Sequence, residues 1–218
     1  MTTGTFEIDP LTGFRAWQYL LATWRALDVP EGWRAEIDEG RIVLAPPPSR
    51  HHQSIAAGVQ RRLYEGLSDE WGIYRTLGVH IAPLDKLYVP DLVVMPADAV
   101  DPDSNDPIDA SEALLTVEIT SKGRSARDDR TKKYRAYARA LVPLYLLIDR
   151  FDTRGPIVTL FTEPSEDGTY KHSEQVPFGK PIALPEPFGT TLGLYASSSP
   201  KTRRNASSCG TPSDSPRR

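Results

Sequence analysis

The chain has 218 residues and a formal net charge of −3, a length that fits one domain of ordinary size. Hydrophobic residues make up 39% of it, which together with the glycines is enough for a packed core and excludes a wholly disordered protein. The 20 prolines argue against a long helical bundle because proline breaks helix interiors. The single cysteine cannot form an internal disulfide, so we expect a reducing, cytoplasmic location.

The two ends of the chain differ from its body. The N-terminus lacks a basic start followed by an apolar run, and no segment approaches the roughly 18 consecutive apolar residues of a membrane helix. We therefore expect no signal peptide and no membrane association. Residues 196–218 contain Cys209, are rich in Ser, Pro and Arg, and lack large apolar side chains, which predicts a disordered tail. Five cations and one aspartate give this tail a charge of +4, so the predicted domain, residues 1–195, carries −7.

Apolar spacing predicts three helices, over residues 14–27, 51–67 and 128–141. The first segment is apolar and free of proline. In the second, Ile55, Val59 and Leu63 recur on one face at helical spacing. The third carries an apolar stripe of Tyr134, Tyr137, Ala138 and Leu141. We expect Tyr134 and Tyr137 to lie in the core.

Strand signals lie between the helices. Residues 34–38 and 41–45 flank Glu39-Gly40, which predicts a hairpin. Further strands are predicted over residues 73–82, 87–95, 114–120, 144–149, 157–162 and 170–176. The polar residues 98–111 predict a surface loop. Together the elements indicate an α+β (mixed α/β) fold, in which a central mixed sheet is flanked by helices and preceded by an N-terminal helix and hairpin.

Two acidic residues interrupt apolar strands. Asp91 follows Pro90 in LYVPDLVVM, and Glu118 lies within LLTVEITSK. A carboxylate in a buried strand is costly unless it is paired or metal-bound. If the two strands are neighbours, the two carboxylates form an oxygen site suited to Mg²⁺. Each acid alone is equally explained by a position at a strand edge or by a salt bridge to an arginine.

The order of several short motifs suggests a family. They are Pro90-Asp91 and residues 117–121, 129–137 and 142–149, with residues 29–43 and 48–53 upstream. In this order they resemble the Uma-type putative restriction endonuclease family of the PD-(D/E)XK nuclease superfamily. The resemblance spans roughly residues 14–194 and implies a restriction-endonuclease-like fold. It also implies metal-dependent cleavage of DNA, with Mg²⁺ as the cofactor and Mn²⁺ as an alternative.

The resemblance also implies roles for individual residues. Asp91 and Glu118 would be catalytic metal ligands, and the backbone carbonyl of Ile119 would be a further ligand. The superfamily's usual lysine position is occupied here by Thr120, so the signature is broken. Members of the family supply a lysine from the following helix, where Lys133 stands. Helical geometry places Lys133 about 90° from the apolar stripe, at the margin between core and solvent.

Other residues near these motifs have two interpretations each. Lys122 competes with Lys133 for the catalytic role. His52 resembles the histidine of a family His-Gln pair near the cleft, but a solvated histidine at the start of a helix is equally compatible. Glu36 is either an accessory residue of the site or an exposed acid in the hairpin. The arginines Arg124, Arg127 and Arg130 either contact phosphates or pair with Asp128 and Asp129.

The function predicted from these residues is metal-dependent endonucleolytic hydrolysis of DNA. The alternative is a catalytically silent nuclease-fold protein that acts as a binding or regulatory module. The charge of −7 on residues 1–195 favours the alternative, because binding to phosphates depends on cationic groups. No separate DNA-reading motif is present in the sequence. We therefore expect recognition to come from residues 98–111 or from a partner in a homodimer, whose formation the sequence leaves open.

Overall fold

The computed structural model of the protein describes residues 13–193. The predicted disordered tail, residues 196–218, and Cys209 lie outside the described residues. The helical segments are α1 (Gly13–Arg25), α2 (Arg50–Tyr64), α3 (Arg124–Asp128), a π-helical turn (Asp129–Lys133) and α4 (Tyr134–Arg139). Within the described part of the chain, no helix combines the length and apolar character needed to cross a membrane.

The described residues also form thirteen strands. They are β1 (Arg34–Asp38), β2 (Arg41–Ala45), β3 (Trp71–Tyr74), β4 (Val79–Ile81), β5 (Lys86–Tyr88), β6 (Leu92–Pro96), β7 (Ile108–Asp109), β8 (Leu115–Ile119), β9 (Leu144–Asp149), β10 (Ile157–Ser165), β11 (Thr169–Pro177), β12 (Pro181–Ala183) and β13 (Thr191–Gly193). The predicted hairpin β1–β2 and the predicted strand β9 have the expected bounds.

The strands form two main sheets and a small one. A six-stranded sheet has the order β11-β10-β9-β8-β6-β3, and a five-stranded sheet has the order β2-β1-β5-β4-β7. In the larger sheet β8 and β9 are parallel, and its other pairs are antiparallel. The parallel pair is connected by α3, the π-helical turn and α4, because parallel strands require a crossover. The predicted mixed sheet flanked by helices is confirmed, and the hairpin belongs to the second sheet.

Helices cover both faces of the six-stranded sheet. On one face, Ile55, Val59 and Leu63 of α2 pack with Val117 and Ile119 of β8. On the other face, residues of α4 including Tyr137 and Ala138 join the side chains of β6 and β9 that alternate to that side. A third cluster packs α1 against the five-stranded sheet. Its buried residues are Trp17, Leu21, Ile37, Leu87 and Val89.

Two predicted strands are each divided in the structure. Residues 73–82 contain the end of β3 and the whole of β4, and residues 87–95 contain the end of β5 and most of β6. Residues 89–91 carry the chain from the five-stranded to the six-stranded sheet. Pro90 lies at this passage, and its lack of an N–H fits a position where no ladder bond is made. Part of the predicted surface loop 98–111 is also ordered, since β7 pairs in parallel with β4.

The third predicted helix, residues 128–141, is wrong in two respects. It begins earlier, at Arg124, and it changes to a π-helical turn at Asp129. It also ends at Arg139. Leu141 has a positive φ of 56° and is 44% exposed, so it lies outside the predicted apolar stripe. Tyr134 and Tyr137 do join the second apolar cluster, as expected.

Candidate active site at the junction of the two sheets

Asp91 immediately precedes β6, and Glu118 lies on the neighbouring strand β8. β6 and β8 pair antiparallel, with Leu92 opposite Val117. The N–H of Asp91 donates to the carbonyl of Val117 at 3.1 Å, and the N–H of Ile119 donates to Asp91 Oδ2 at 2.8 Å. Backbone pairing therefore fixes Asp91 beside the residues that flank Glu118. The two acid-bearing segments are therefore neighbours, which is the condition under which the sequence predicts a shared oxygen site.

Asp91 is buried and has cationic and polar partners on both carboxylate oxygens. Arg34 Nη1 donates to Oδ1 at 2.8 Å, and His52 Nε2 lies 2.9 Å from Oδ2. Burial by itself raises the pKa of Asp91. The hydrogen bond to His52 and the charge of Arg34 outweigh burial, so the pKa lies below its usual value. Asp91 is therefore held as a carboxylate.

Glu118 is 2% exposed and makes its hydrogen bonds through one oxygen. Lys133 Nζ donates to Oε1 at 3.0 Å, and the Tyr137 hydroxyl donates to the same oxygen at 2.8 Å. Burial raises the pKa of Glu118 well above its usual value, although Lys133 opposes this, and the nearby acids Asp129 and Asp91 raise it further. Burial therefore favours the protonated form of Glu118, and the charge of Lys133 opposes it.

Lys133 lies between two carboxylates. Its Nζ donates to Glu36 Oε1 at 2.9 Å as well as to Glu118, and Glu36 Oε1 also accepts from the N–H of Val89 at 2.9 Å. Burial lowers the pKa of Lys133, but Glu118 and Glu36 together raise it well above its usual value. Lys133 is thus a buried ammonium ion, with 7% of the residue exposed, rather than the marginal lysine that an ideal helix predicts.

The structure decides between the two interpretations of His52 and of Glu36. His52 is buried against Asp91, so the solvated histidine is wrong. Glu36 contacts Lys133, so the exposed hairpin acid is wrong as well. Lys122 is exposed in the turn after β8 and lines the cleft beside Lys133, but it makes no hydrogen bond to either acid in the described structure.

Two contacts in the site were not predicted from the sequence. Arg34, which binds Asp91, lies two residues before Glu36 on β1. The burial of β1 alternates, with Ala35 and Ile37 inside, so Arg34 and Glu36 share a face by strand periodicity. That alternation was the available signal. Tyr137 was predicted as core, and its hydroxyl contact with Glu118 had no signal in the sequence.

Thr120, at the position of the superfamily's usual lysine, has a structural role. Its hydroxyl lies 3.1 Å from Asp149 Oδ1 and accepts the N–H of Arg150 at 2.9 Å. Arg130 donates to both oxygens of Asp149, at 2.6 and 2.8 Å. Arg130 therefore forms an ion pair with the carboxylate of Asp149, which stands at the end of β9.

A cleft of about 380 Å³ opens beside Lys133 between β2 and the π-helical turn. Arg41 and Lys122 line this cleft, are exposed, and have no ion pair with any residue that the structure describes. Lys132 also lines it but pairs with Asp38 and Glu39, at 3.1 and 2.9 Å. The cleft therefore has two exposed cations, Arg41 and Lys122, on a wall shared with Lys133 and Glu36, whereas Asp91 and Glu118 are not among its lining residues.

The donor set around Asp91 and Glu118 fits a hard divalent cation. Within residues 13–193, no cluster of three or more His, Cys, Asp or Glu side chains has the arrangement of a complete metal site. Mg²⁺ does not need one, since it is usually bound by one or two carboxylates together with water and substrate. An ionised carboxylate has about four acceptor positions. Asp91 uses three of them, and Glu118 Oε2 accepts no hydrogen bond from the described residues.

Comparison with known proteins identifies a family and a similar solved structure. A model of the Uma2 family, described as "Putative restriction endonuclease", matches residues 19–197. The structure is similar to the crystal structure of a putative nuclease belonging to DUF820 from Anabaena variabilis ATCC 29413, with a TM-score of 0.59 and 19% sequence identity. The match covers 78% of this chain and 90% of that one, and it supports the nuclease-like fold. No match was found among curated proteins.

Proposed function

Because the chain belongs to the Uma2 family of putative restriction endonucleases, we propose that it is a metal-dependent endonuclease that hydrolyses the phosphodiester bonds of DNA. One observation carries the proposal: Asp91 and Glu118 lie on paired strands, and Lys133 is fixed on Glu118 at the edge of an open cleft. Two carboxylates can bind a divalent cation, and an ammonium group can stabilise the charge that develops in the hydrolysis of a phosphodiester.

Asp91, Glu118 and the backbone carbonyl of Ile119 would hold Mg²⁺ or Mn²⁺. When bound, such an ion polarises a phosphate oxygen and lowers the pKa of a bound water. Arg34 and His52 orient the Asp91 carboxylate, since each contacts one of its oxygens. They act as positioning residues, because neither contacts Glu118 or Lys133 in the described structure.

Lys133 is suited to bind the reacting phosphate or the attacking water. Its ammonium group has three N–H donors, of which Glu36 and Glu118 accept two. The third remains available to an oxygen of the substrate or of water, and the positive charge stabilises negative charge that develops on the phosphate. Because both carboxylate contacts hold Nζ in place, little reorganisation is needed when the substrate binds.

The same contacts support a second candidate, a nuclease-fold protein that no longer cleaves. Arg34 and Lys133 already contact Asp91 and Glu118, so the acids are partly neutralised by the protein itself. Such a protein would be a binding or regulatory module. The two candidates differ in whether a divalent ion binds at Asp91 and Glu118.

Cleavage of DNA tests the proposal. Supercoiled plasmid and single-stranded DNA are incubated with wild type in Mg²⁺ or Mn²⁺, and nicks and cuts are measured over time. We expect Asp91→Asn and Glu118→Gln to reduce the rate at least about 100-fold, the upper range for losing a group that only supports a metal ligand. The matched controls are Asp69→Asn and Glu65→Gln, which make the same substitutions at exposed positions.

Two results would overturn the proposal. One is the absence of cleavage of any DNA form by folded wild type in either metal. The other is a rate in Asp91→Asn and Glu118→Gln equal to that of the controls, which would indicate a contaminating nuclease. An RNA substrate is included in parallel, and cleavage of RNA without cleavage of DNA would contradict the assignment of DNA as substrate.

A further inference from the structure

A second cavity, of about 590 Å³, lies on the other side of Arg34 from the cleft. It is formed by the end of α1 and the segment leading into β1, by the residues before β4, and by the tip of the 98–111 loop. Its lining includes Trp24, Trp33, Arg34, Asn105 and Asp106. The proposed catalytic chemistry uses only Arg34 of this set.

Two tryptophans give the cavity an aromatic wall. Trp33 is 40% exposed, so part of its indole ring is accessible from solvent. Trp24 is half-buried, and its Nε1 donates to the carbonyl of Ala35 at 2.8 Å, which fixes the ring in one orientation. The exposed indole of Trp33 and the fixed indole of Trp24 offer surfaces on which a planar ring can stack. The bases of single-stranded nucleic acids stack on aromatic side chains in this way.

The 98–111 loop contributes polar side chains to the cavity, and hydrogen bonds hold this part of the loop in place. Arg25 Nε binds Asp106 Oδ1 at 2.7 Å, which ties the loop to α1, and the N–H of Asp106 donates to Ser104 Oγ at 3.1 Å. The Asn105 side chain between them has no hydrogen bond to any described residue. A free amide provides both donors and an acceptor, the combination that reads the edge of a nucleobase.

Arg34 connects the two cavities. It lines both of them. Its Nη1 donates to Asp91 Oδ1 at 2.8 Å and to the carbonyl of Val89 at 3.3 Å. Its Nε is buried without a hydrogen-bond partner among the described residues. The guanidinium group of Arg34 therefore lines the second cavity and binds the Asp91 carboxylate at the same time.

We propose that the second cavity binds one unpaired nucleobase of the substrate strand, beside the phosphate presented to Asp91 and Glu118. The base stacks on Trp33 and is bound at its edge by Asn105. A base must leave the stack before it can enter such a cavity, and the cost is least for a base that is already unpaired, so the preferred substrate is DNA with an unpaired nucleotide next to the cleavage position. This inference rests on the proposed nuclease function for the identity of the strand.

Binding without metal tests the inference separately from cleavage. The ligands are three fluorescein-labelled DNA duplexes of one sequence: fully paired, with one unpaired thymine, and with an abasic residue in place of that thymine. Dissociation constants are measured by anisotropy in EDTA. We expect wild type to bind the unpaired thymine most tightly, because only that duplex offers a base to the cavity.

Variants at Trp33 test whether the preference for the unpaired thymine depends on the second cavity. Trp33→Ala should weaken binding of the thymine duplex at least about fivefold, the lower end of the effect of removing a stacking aromatic, and should leave the abasic duplex unchanged. Trp33→Phe should retain the preference because it keeps a ring. Tyr64→Ala, which removes another exposed aromatic outside both cavities, is the control. Thermal unfolding checks that each variant is folded.

Three results would overturn the inference: no binding of any duplex by wild type, equal binding of the thymine and abasic duplexes, or a preference that survives in Trp33→Ala. A cleavage assay in Mg²⁺ and Mn²⁺ keeps the two proposals apart. If the Trp33-dependent preference is present and no DNA is cut, the base site stands and the nuclease fails. If DNA is cut and the preference is absent, the nuclease stands and the base site fails.

Discussion

Lys133 is the residue whose environment matters most to the site, because it is buried between Glu36 and Glu118. From the sequence it was the residue matched to the family's helix lysine, and helical geometry placed it at the margin of the core. Its contacts with Glu118 and Glu36 depend on side chains 15 and 97 residues away. The position of Lys133 on the helix was predictable from the sequence. Its burial between two carboxylates was not, because no local sequence pattern identifies such distant partners.

Replacing Lys133 with methionine should destabilise the protein. The substitution keeps the volume but leaves Glu118 and Glu36 without their shared cation, and breaking a buried ion pair costs about 3–5 kcal/mol. The free energy of unfolding at pH 7, measured by urea denaturation without metal, tests this. Lys132→Met is the control, since Lys132 is only partly buried in its pairs with Asp38 and Glu39 and should lose at most about 1 kcal/mol. Equal losses in the two variants would contradict the account.

The helical segment that follows β8 was predicted only in part from the periodicity of the sequence. The sequence predicted that a helix lies there and that Tyr137 is in the core. It did not predict the π-helical turn. Asp129, Lys133 and Tyr137 recur every four residues and are all buried, but two of them are charged and were counted as polar. A stripe defined by apolar residues alone therefore pointed to Leu141, which is exposed beyond the end of the helix.

The π-helical turn is tied to the sheet through Arg130 and Asp149. Burial raises the pKa of Asp149, but the hydrogen bonds from Arg130, the Phe151 N–H and Thr120 outweigh it and lower the pKa below its usual value. A carboxyl group whose pKa is lowered in the folded state stabilises it above the unfolded-state pKa of about 3.9. That stabilisation is lost as the pH falls through the folded-state pKa.

Asp149→Asn should therefore be less stable than wild type at pH 7, by about 1.5–3 kcal/mol for the lost charged hydrogen bonds. The difference between the two proteins should shrink as the pH falls below about 4, because wild-type Asp149 is then protonated as well. Urea denaturation between pH 7 and pH 3 measures this. Asp69→Asn, at an exposed turn position, is the control. A stability difference that does not depend on pH would show that the carboxylate charge is not the cause.

At the scale of the whole molecule, the candidate site is assembled from both main sheets. Arg34 and Glu36 come from the five-stranded sheet, and Glu118 comes from the six-stranded sheet. The sequence predicted the hairpin and β9 with the observed bounds, but it merged β3 with β4 and β5 with β6 and missed β7, β12 and β13. It did not predict two sheets, because residues 87–95 form one apolar run in sequence. Pro90 lies where the run passes between the sheets, and without knowledge of the pairing partners its position was compatible with an edge strand.

The charge of the whole molecule predicts how it binds DNA. Residues 1–195 carry −7, and the free cations of the cleft, Arg41 and Lys122, line its wall. Binding should therefore involve few phosphates, and the logarithm of the binding constant should fall only gently with the logarithm of salt concentration. Arg41→Gln and Lys122→Gln should each reduce that slope by about 0.9. Lys171→Gln, at an exposed position on β11, should leave it unchanged; an equal reduction there would refute a role specific to the cleft.

Calorimetric titration of Mn²⁺ into the folded protein tests the claim that Asp91 and Glu118 together bind one divalent cation. We expect one site in wild type that is lost in Asp91→Ala and in Glu118→Gln and retained in the control Glu65→Gln. Failure of wild type to bind Mn²⁺, or binding that is unchanged in both site variants, would contradict the claim. Either result would leave a nuclease fold whose acids are neutralised by Arg34 and Lys133 alone.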